Sequence, residues 1–422
     1  MCIPVASIPF PGWKVFVSEY FEKKPGVFKS ENNNMLVTEK ELFESILNGI
    51  EMWRKGSERT FSIWLDNELV TNNFEKYIPN KNDKCISCYI NRIVGSPKSK
   101  DFTYSQYNLQ CNHLDIWRKG AKYLEGLLNI IGIPSGGIDI DTFLGNYKST
   151  PRGVHTDQAS TFMHIIKGKK KMLVWPPEYF QELENTSQIK IVGSRLRKTI
   201  IDFDFSRVAS DAILLEGEPG EILYWPSSYW HISVFDSDNH PSVICNVGIY
   251  REEFSSFLSE IGIQCIKTAT KNYIDLKTYS YPDKHSEYQI PKEEQDYLNK
   301  LRLLINNTYI EEYIQQKWIE RMSACGYKSG FPLLQVREIN GKEFIRDSVI
   351  YWSIHKTKST IRIYGNGNSI EHSDLTIIPV LRYINKLRNV EIETLYSIFR
   401  IQQESIIQII KILLSLRILR SV

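Results

Sequence analysis

The sequence predicts an α+β fold: an antiparallel β barrel or sandwich with helices before it and a winged-helix-like unit after it. Three observations carry this. Residues 137–251 are a series of short β-rich runs separated by Gly, Pro, Asp and Asn. The preceding residues contain two amphipathic helical patterns, and the residues after Glu252 turn helical again. The last ninety or so residues read as strands followed by three short helices, the order of a winged helix.

The first helix is expected over residues 39–55, with Leu42, Ile46, Ile50 and Trp53 on one side. Thr38 and Glu41 before it have the spacing of a capping box. Residues 80–101 are polar and read as a loop with a short apolar interruption. A second helix is expected over 115–131, stopped by Gly132 and Pro134. The strands follow as GIDIDTFLGNY, STFMHIIKG, KKMLVWPP, AILLEGEPGEILYWP, WHISVF and SVICNVGIY. Helices are then expected over 252–273 and within 291–323, joined by a polar, Tyr-rich connection at 277–289. The tail offers strands at 348–355 and 359–365 and helices at 377–387, 391–399 and 403–416. The domain reading is 1–251 with a barrel core at 137–251, a helical segment at 252–330, and a winged-helix-like domain at 331–422.

A formal charge of +3, from balanced acids and bases, argues against nucleic acid or an anionic membrane as partner. The final helix carries Lys411 with Arg417 and Arg420 just beyond it, too few donors for reading base edges. The apolar stretch 406–419 is too short to span a bilayer and reads as a buried amphipathic helix. Seven cysteines spread over 422 residues are not a secreted disulfide framework, so a reducing, cytoplasmic location is expected. Cys85, Cys88, Cys111 and His113 could supply four zinc ligands, although Cys-x-His is an unusual half-site.

The chemistry concentrates at His155-Thr156-Asp157 and His231. Alternate residues of a strand share a face, so His155 and Asp157 can reach one ion, and a facing strand can supply His231. Two imidazoles and a carboxylate on one side of a metal make the facial triad of non-haem iron oxygenases, with the other side open. A structural zinc site would want a fourth protein ligand. Lys170 shares strand parity with Met172 and Val174 and should point inward; Lys167, Lys169 and Lys171 read as a solvated edge.

The segments HTDQASTFMHIIKGKKKMLVWPP and GEILYWPSSYWH resemble the JmjC-type cupin iron(II)/2-oxoglutarate oxygenases. Within that group they are most similar to the factor-inhibiting-HIF-like and ribosomal-protein hydroxylases. The pattern is H-x-D, an aromatic at Phe162, Gly168, a basic residue at Lys170, Pro176-Pro177, and a second His after Trp225-Pro226-Ser227-Ser228-Tyr229-Trp230. Tyr20 to Val27 resembles the family's opening phrase. Residues 158–160, Gln-Ala-Ser, depart from it.

The resemblance implies a double-stranded β-helix, or jelly roll, around iron(II) bound by His155, Asp157 and His231. It implies 2-oxoglutarate anchored by Lys170 and flanked by Thr161 and Asn246, with oxygen as co-substrate. By position alone, just before the triad, Tyr147 and Arg152 could line the substrate mouth, with Arg152 reading equally as a surface loop residue. The activity implied is hydroxylation of a protein or peptide side chain, a ribosomally made peptide precursor included, by a homodimer pairing through the helical segment. N-demethylation uses the same site, and a cupin-type binding module without turnover is the alternative.

Overall fold

The computed structural model describes residues 2–422 apart from 31–35, 96–100, 147–148, 151, 235–240, 253, 271–294, 297, 300–301, 304–308 and 356–358. These residues form two compact units, Met1–Arg251 with Ala324–Leu333, and Glu252–Ser323 with Leu334–Val422.

The first unit is built on two sheets. The larger runs, in spatial order, through Ser7–Pro9, Gly26–Lys29, Glu221–Trp225, Ala159–Lys167, Ser242–Tyr250, Ile138–Asn146, Phe102–Gln106, Phe61–Leu65 and Glu68–Leu69. The smaller orders Ile3–Pro4, Ile213–Gly217, Lys170–Trp175 and Trp230–Val234. The chain crosses repeatedly between the sheets: 159–167 lies in the large one, 170–175 and 213–217 in the small one, 221–225 in the large one, 230–234 in the small one and 242–250 in the large one. That crossing pattern gives a double-stranded β-helix. Its interior is filled by Met163, Ile165, Met172, Val174, Leu215, Leu223, Trp225 and Ile244, each at the inward parity of its strand.

The helices cover the outer face of the large sheet. Helix Glu39–Arg54 buries Leu42, Phe43, Ile46 and Ile50, and helix Leu114–Ile131 buries Ile116, Trp117, Leu124 and Leu127. The expected capping box is present: Thr38 accepts from the Glu41 backbone N–H, and Glu41 accepts from the Thr38 N–H. Thr38→Ala should therefore cost about 1 kcal/mol, seen as a small drop in denaturation midpoint without loss of ligand binding.

The loop expected over 80–101 is instead interrupted by a helix, Ile86–Val94, that buries Ile86, Tyr89, Ile90 and Val94. Those four positions recur at helical spacing. Asp83 accepts two bonds from the Arg92 guanidinium and ties the helix to the turn before it. Another pair of strands not read in advance, Lys190–Gly193 and Lys198–Ile201, forms a hairpin. The hairpin's second strand donates from Ile200 N–H to the Val154 carbonyl, and Lys198 accepts from the Thr156 N–H.

In the second unit, helices Phe254–Thr270 and Tyr309–Ser323 precede the sheet Tyr351–His355, Thr360–Gly365 and Asn368–His372. Helices Ile378–Ile384, Ile392–Ile398 and Gln403–Ser415 follow, with strands Asn389–Glu391 and Leu419–Ser421 pairing on either side of Glu343–Arg346. This is a winged-helix-like order. Helix Gln403–Ser415 buries Ile406, Ile409, Ile410, Leu413 and Leu414 on one face. No described helix is long and apolar enough to cross a membrane. The connection at 277–289 lies outside the described residues.

Candidate metal and co-substrate site

His231 sits near the start of strand Trp230–Val234, after the Pro226–Tyr229 turn that ends the 221–225 strand. His155 is held beside it by two backbone bonds, His155 N–H to the His231 carbonyl at 3.1 Å and His231 N–H to the His155 carbonyl at 2.8 Å. The expectation that His155 and Asp157 lie on a regular strand facing that of His231 is corrected. His155 makes only isolated bridges, to His231 and to Thr199, and Asp157 precedes the strand that starts at Ala159. The two histidines are immediate antiparallel neighbours, with ring centroids 4.4 Å apart.

Each imidazole has its Nδ1 at a backbone carbonyl: His155 at Gly153 O, 2.8 Å, and His231 at Tyr229 O, 3.1 Å. Nδ1 is thus the protonated nitrogen, and Nε2 carries the free lone pair. Both Nε2 atoms turn to the same Asp157 oxygen, Oδ2, at 3.8 Å from His155 and 3.4 Å from His231. Three acceptor atoms facing one another repel unless a cation lies among them. This donor set therefore fits a metal ion, and all three ligand atoms lie within 4.8 Å of one another. Among the described residues no other group of His, Cys, Asp and Glu is arranged to hold one.

The protonation states agree. Burial lowers the His155 imidazole to about 4, so it is a neutral donor at neutral pH. Burial alone would raise Asp157; the two imidazoles facing it and the nearby Arg152 guanidinium outweigh it and hold the carboxyl well below its usual range. Neutral imidazoles and an ionised carboxylate are the forms that bind metal.

The triad opens on a cavity inside the barrel. Lys170, the first residue after the tight turn at Gly168 (φ +74°), is 1% exposed and lines this cavity with Met172. Its neighbours Lys167, Lys169 and Lys171 pair at the surface with Glu39, Glu218 and Glu216. Thr161 and Asn246 are buried and line the same cavity. Arg152 reaches its mouth and bonds the Tyr107 hydroxyl at 3.3 Å; Tyr147 lies outside the described residues.

Two residues lining this cavity each hold a buried polar atom with no hydrogen-bond partner among the described residues: Trp225 Nε1 and Asn246 Oδ1. The Trp225 N–H, a donor, and the buried Lys170 ammonium suit the chamber to a small polar anion. Trp225, whose ring lies 5.1 Å from that of His231, and Asp141, buried on strand Ile138–Asn146, were not singled out from sequence. The signal for Asp141 was present: an acid at alternating positions of the apolar run Ile138-Asp139-Ile140-Asp141.

The four-ligand zinc set does not assemble. Cys111 Sγ donates to the Ser329 carbonyl, His113 Nε2 faces Glu44, and Cys85 and Cys88 touch each other at 2.9 Å.

The profile of the cupin-like domain family matches residues 29–247, more than half of the chain. The chain belongs to that family. No curated protein sequence matches it significantly. Solved structures do. One is the X-ray structure of Escherichia coli ycfD, with TM-score 0.52, 14% identity and 98% coverage of each chain. Others are YcfD, described as a ribosomal oxygenase from Escherichia coli, in complex with cobalt and 2-oxoglutarate (TM-score 0.50) and with cobalt and succinic acid (TM-score 0.51). Each of these is 16% identical over 97% of both chains. At that identity the likeness is one of fold: the cupin barrel is shared.

Proposed function

We propose that this chain is an iron(II)- and 2-oxoglutarate-dependent oxygenase that hydroxylates a side chain of a protein or peptide. The observation that carries the reading is the convergence of His155 Nε2, His231 Nε2 and an Asp157 oxygen, all acceptors, at the mouth of a cavity containing buried Lys170. Support comes from the cupin family and from the YcfD complexes, which contain cobalt with 2-oxoglutarate or succinate.

In this reading His155, Asp157 and His231 hold the metal on one side. When bound, iron(II) with 2-oxoglutarate and oxygen supplies an oxidative decarboxylation, to succinate and carbon dioxide, that inserts an oxygen atom into a substrate C–H bond. Lys170 anchors the far carboxylate of 2-oxoglutarate, because a buried dicarboxylate needs a fixed cation at that end. Thr161 and Asn246 supply polar contacts along it. Arg152 binds the substrate chain at the mouth, and Tyr147, a little earlier in the sequence, is assigned to the substrate as well. The Nδ1 bonds to Gly153 and Tyr229 fix both rings, and the apolar interior limits the access of water.

The domain division 1–251, 252–330 and 331–422 goes with this reading, as do a cytoplasmic location and pairing of two copies through the helical segment. Supporting the last, Ile263 and Ile266 on one helix and Trp318 and Met322 on another stand well exposed.

The test is 2-oxoglutarate consumption and succinate formation with iron(II), ascorbate and air. It is combined with mass spectrometry of native-host proteins and peptides for a single added oxygen. Turnover that rises with a modified protein supports the reading. No turnover and no metal-dependent binding of 2-oxoglutarate favours a binding module instead, and loss of a methyl group in place of a gained oxygen points to N-demethylation.

A further inference from the structure

Strand Ile138–Asn146 places two acids, Asp139 and Asp141, on one face, and both are buried. Two carboxylates this close in an apolar interior cannot both ionise cheaply, so their partners decide which one holds a proton.

Asp139 has the partners of an anion. It accepts from the Asn108 backbone N–H at 3.1 Å and from Gln110 Nε2 at 3.0 Å. The direction of the Gln110 amide is not negotiable, because its Oε1 accepts from the Ile140 N–H at 3.0 Å. Gln110 therefore can only donate to Asp139.

Asp141 is different. Its side-chain partner is the Asn246 amide, with Nδ2 at 2.8 Å from Oδ1 of Asp141. That amide is not pinned: Asn246 lines the cavity, and its Oδ1 is buried with no hydrogen-bond partner among the described residues. In this orientation a buried acceptor without a partner lies in the wall of a cavity that is to receive an anion, which is repulsive. A half-turn of the amide exchanges Oδ1 and Nδ2 without changing its shape. The amide oxygen then faces Asp141 and the two amide protons become available to the cavity. The turned arrangement requires Asp141 to be the donor.

We propose that Asp141 is a positioning residue in its neutral acid form, donating to Asn246 Oδ1 and so presenting Asn246 Nδ2 to a carboxylate of bound 2-oxoglutarate. This rests on the proposed function and adds to it the group that orients the amide. Burial, followed by the charge of Asp139, pushes the Asp141 carboxyl well above the usual range. Among the other charged groups acting on it, Asp157 disfavours its anion only until a bound metal offsets that charge, Lys328 favours the anion, and Arg152 lies close enough to feel it. Asp139, raised by burial to about 6, is ionised at neutral pH and keeps the second charge away.

The test measures 2-oxoglutarate affinity by calorimetry on the full chain loaded with cobalt(II), without oxygen, for wild type, Asp141→Asn, Asp141→Ala and Asn246→Ala. Asparagine at 141 is a neutral donor of the same shape. It should keep the affinity within about threefold, while Asp141→Ala and Asn246→Ala each weaken it about tenfold or more. Cobalt affinity should stay the same in all four proteins, which a general loss of structure would not allow. An infrared band of a protonated carboxyl should be present in wild type and missing from Asp141→Asn. If alanine at 141 unfolds the protein, wild type against Asp141→Asn decides alone. Loss of affinity in Asp141→Asn, or no protonated carboxyl band in wild type, overturns the neutral acid. Wild-type affinity in Asp141→Ala overturns the positioning role, and wild-type affinity in Asn246→Ala removes the contact it serves. Failure of the wild type itself to bind 2-oxoglutarate with metal counts instead against the proposed function.

Discussion

Asp157→Ala is expected to abolish turnover and to weaken cobalt(II) binding by more than about hundredfold. Loss of an outer-shell partner alone ordinarily costs 10–100-fold in metal affinity, and Asp157 is a direct donor here. It is also the only carboxylate of the three, so alanine leaves two imidazoles to hold a dication. The fold should survive, because Asp157 is about one-third exposed and His155 and His231 remain joined by their backbone bonds. Calorimetry with cobalt(II), alongside the denaturation midpoint, separates the outcomes. Lost binding at an unchanged midpoint is expected; retained binding places the ion elsewhere.

Lys170→Ala is the second large effect, and it should fall on the co-substrate rather than the metal. A charge-assisted bond to a buried carboxylate, together with the penalty of leaving that carboxylate unmatched, is worth about 3 kcal/mol, roughly a hundredfold in Kd or KM for 2-oxoglutarate. Lys170 does not touch the reacting atoms, so kcat at saturating 2-oxoglutarate should fall much less than kcat/KM. Lys170→Arg should recover part of the loss, since the charge stays while its reach and geometry change. Unaltered 2-oxoglutarate affinity in Lys170→Ala would show that the buried ammonium serves the barrel alone.

The parts of the site that were legible in sequence are those fixed by local rules. Gly168 adopts a positive φ in a two-residue turn, and strand parity from Lys170 through Met172 and Val174 aims the ammonium inward. The alternation of short strands and turn residues gave away the barrel in the same way. The manner in which the triad assembles was not legible. His155 and Asp157 do share a side, but a pair of backbone bonds to His231, a neighbour distant in sequence, achieves this rather than a regular strand. Helix Ile86–Val94 was hidden because its apolar face is only four residues deep and its flanks are rich in Asn and Lys; packing, not propensity, decides it. The hairpin 190–201 is equally polar, and its place comes from pairing with residues 154–156. Asp141 is not legible in the sequence as a buried residue, because an acid in a strand reads as solvent-facing until the sheet is closed.

The most direct test of the account is diffraction from crystals soaked with iron(II) and 2-oxoglutarate without oxygen, recording anomalous scattering at the iron edge. The account predicts one iron peak within bonding distance of His155 Nε2, His231 Nε2 and an Asp157 oxygen, its other positions filled by 2-oxoglutarate and solvent. A peak at another place, or a fourth protein side chain closing the coordination sphere, would contradict it.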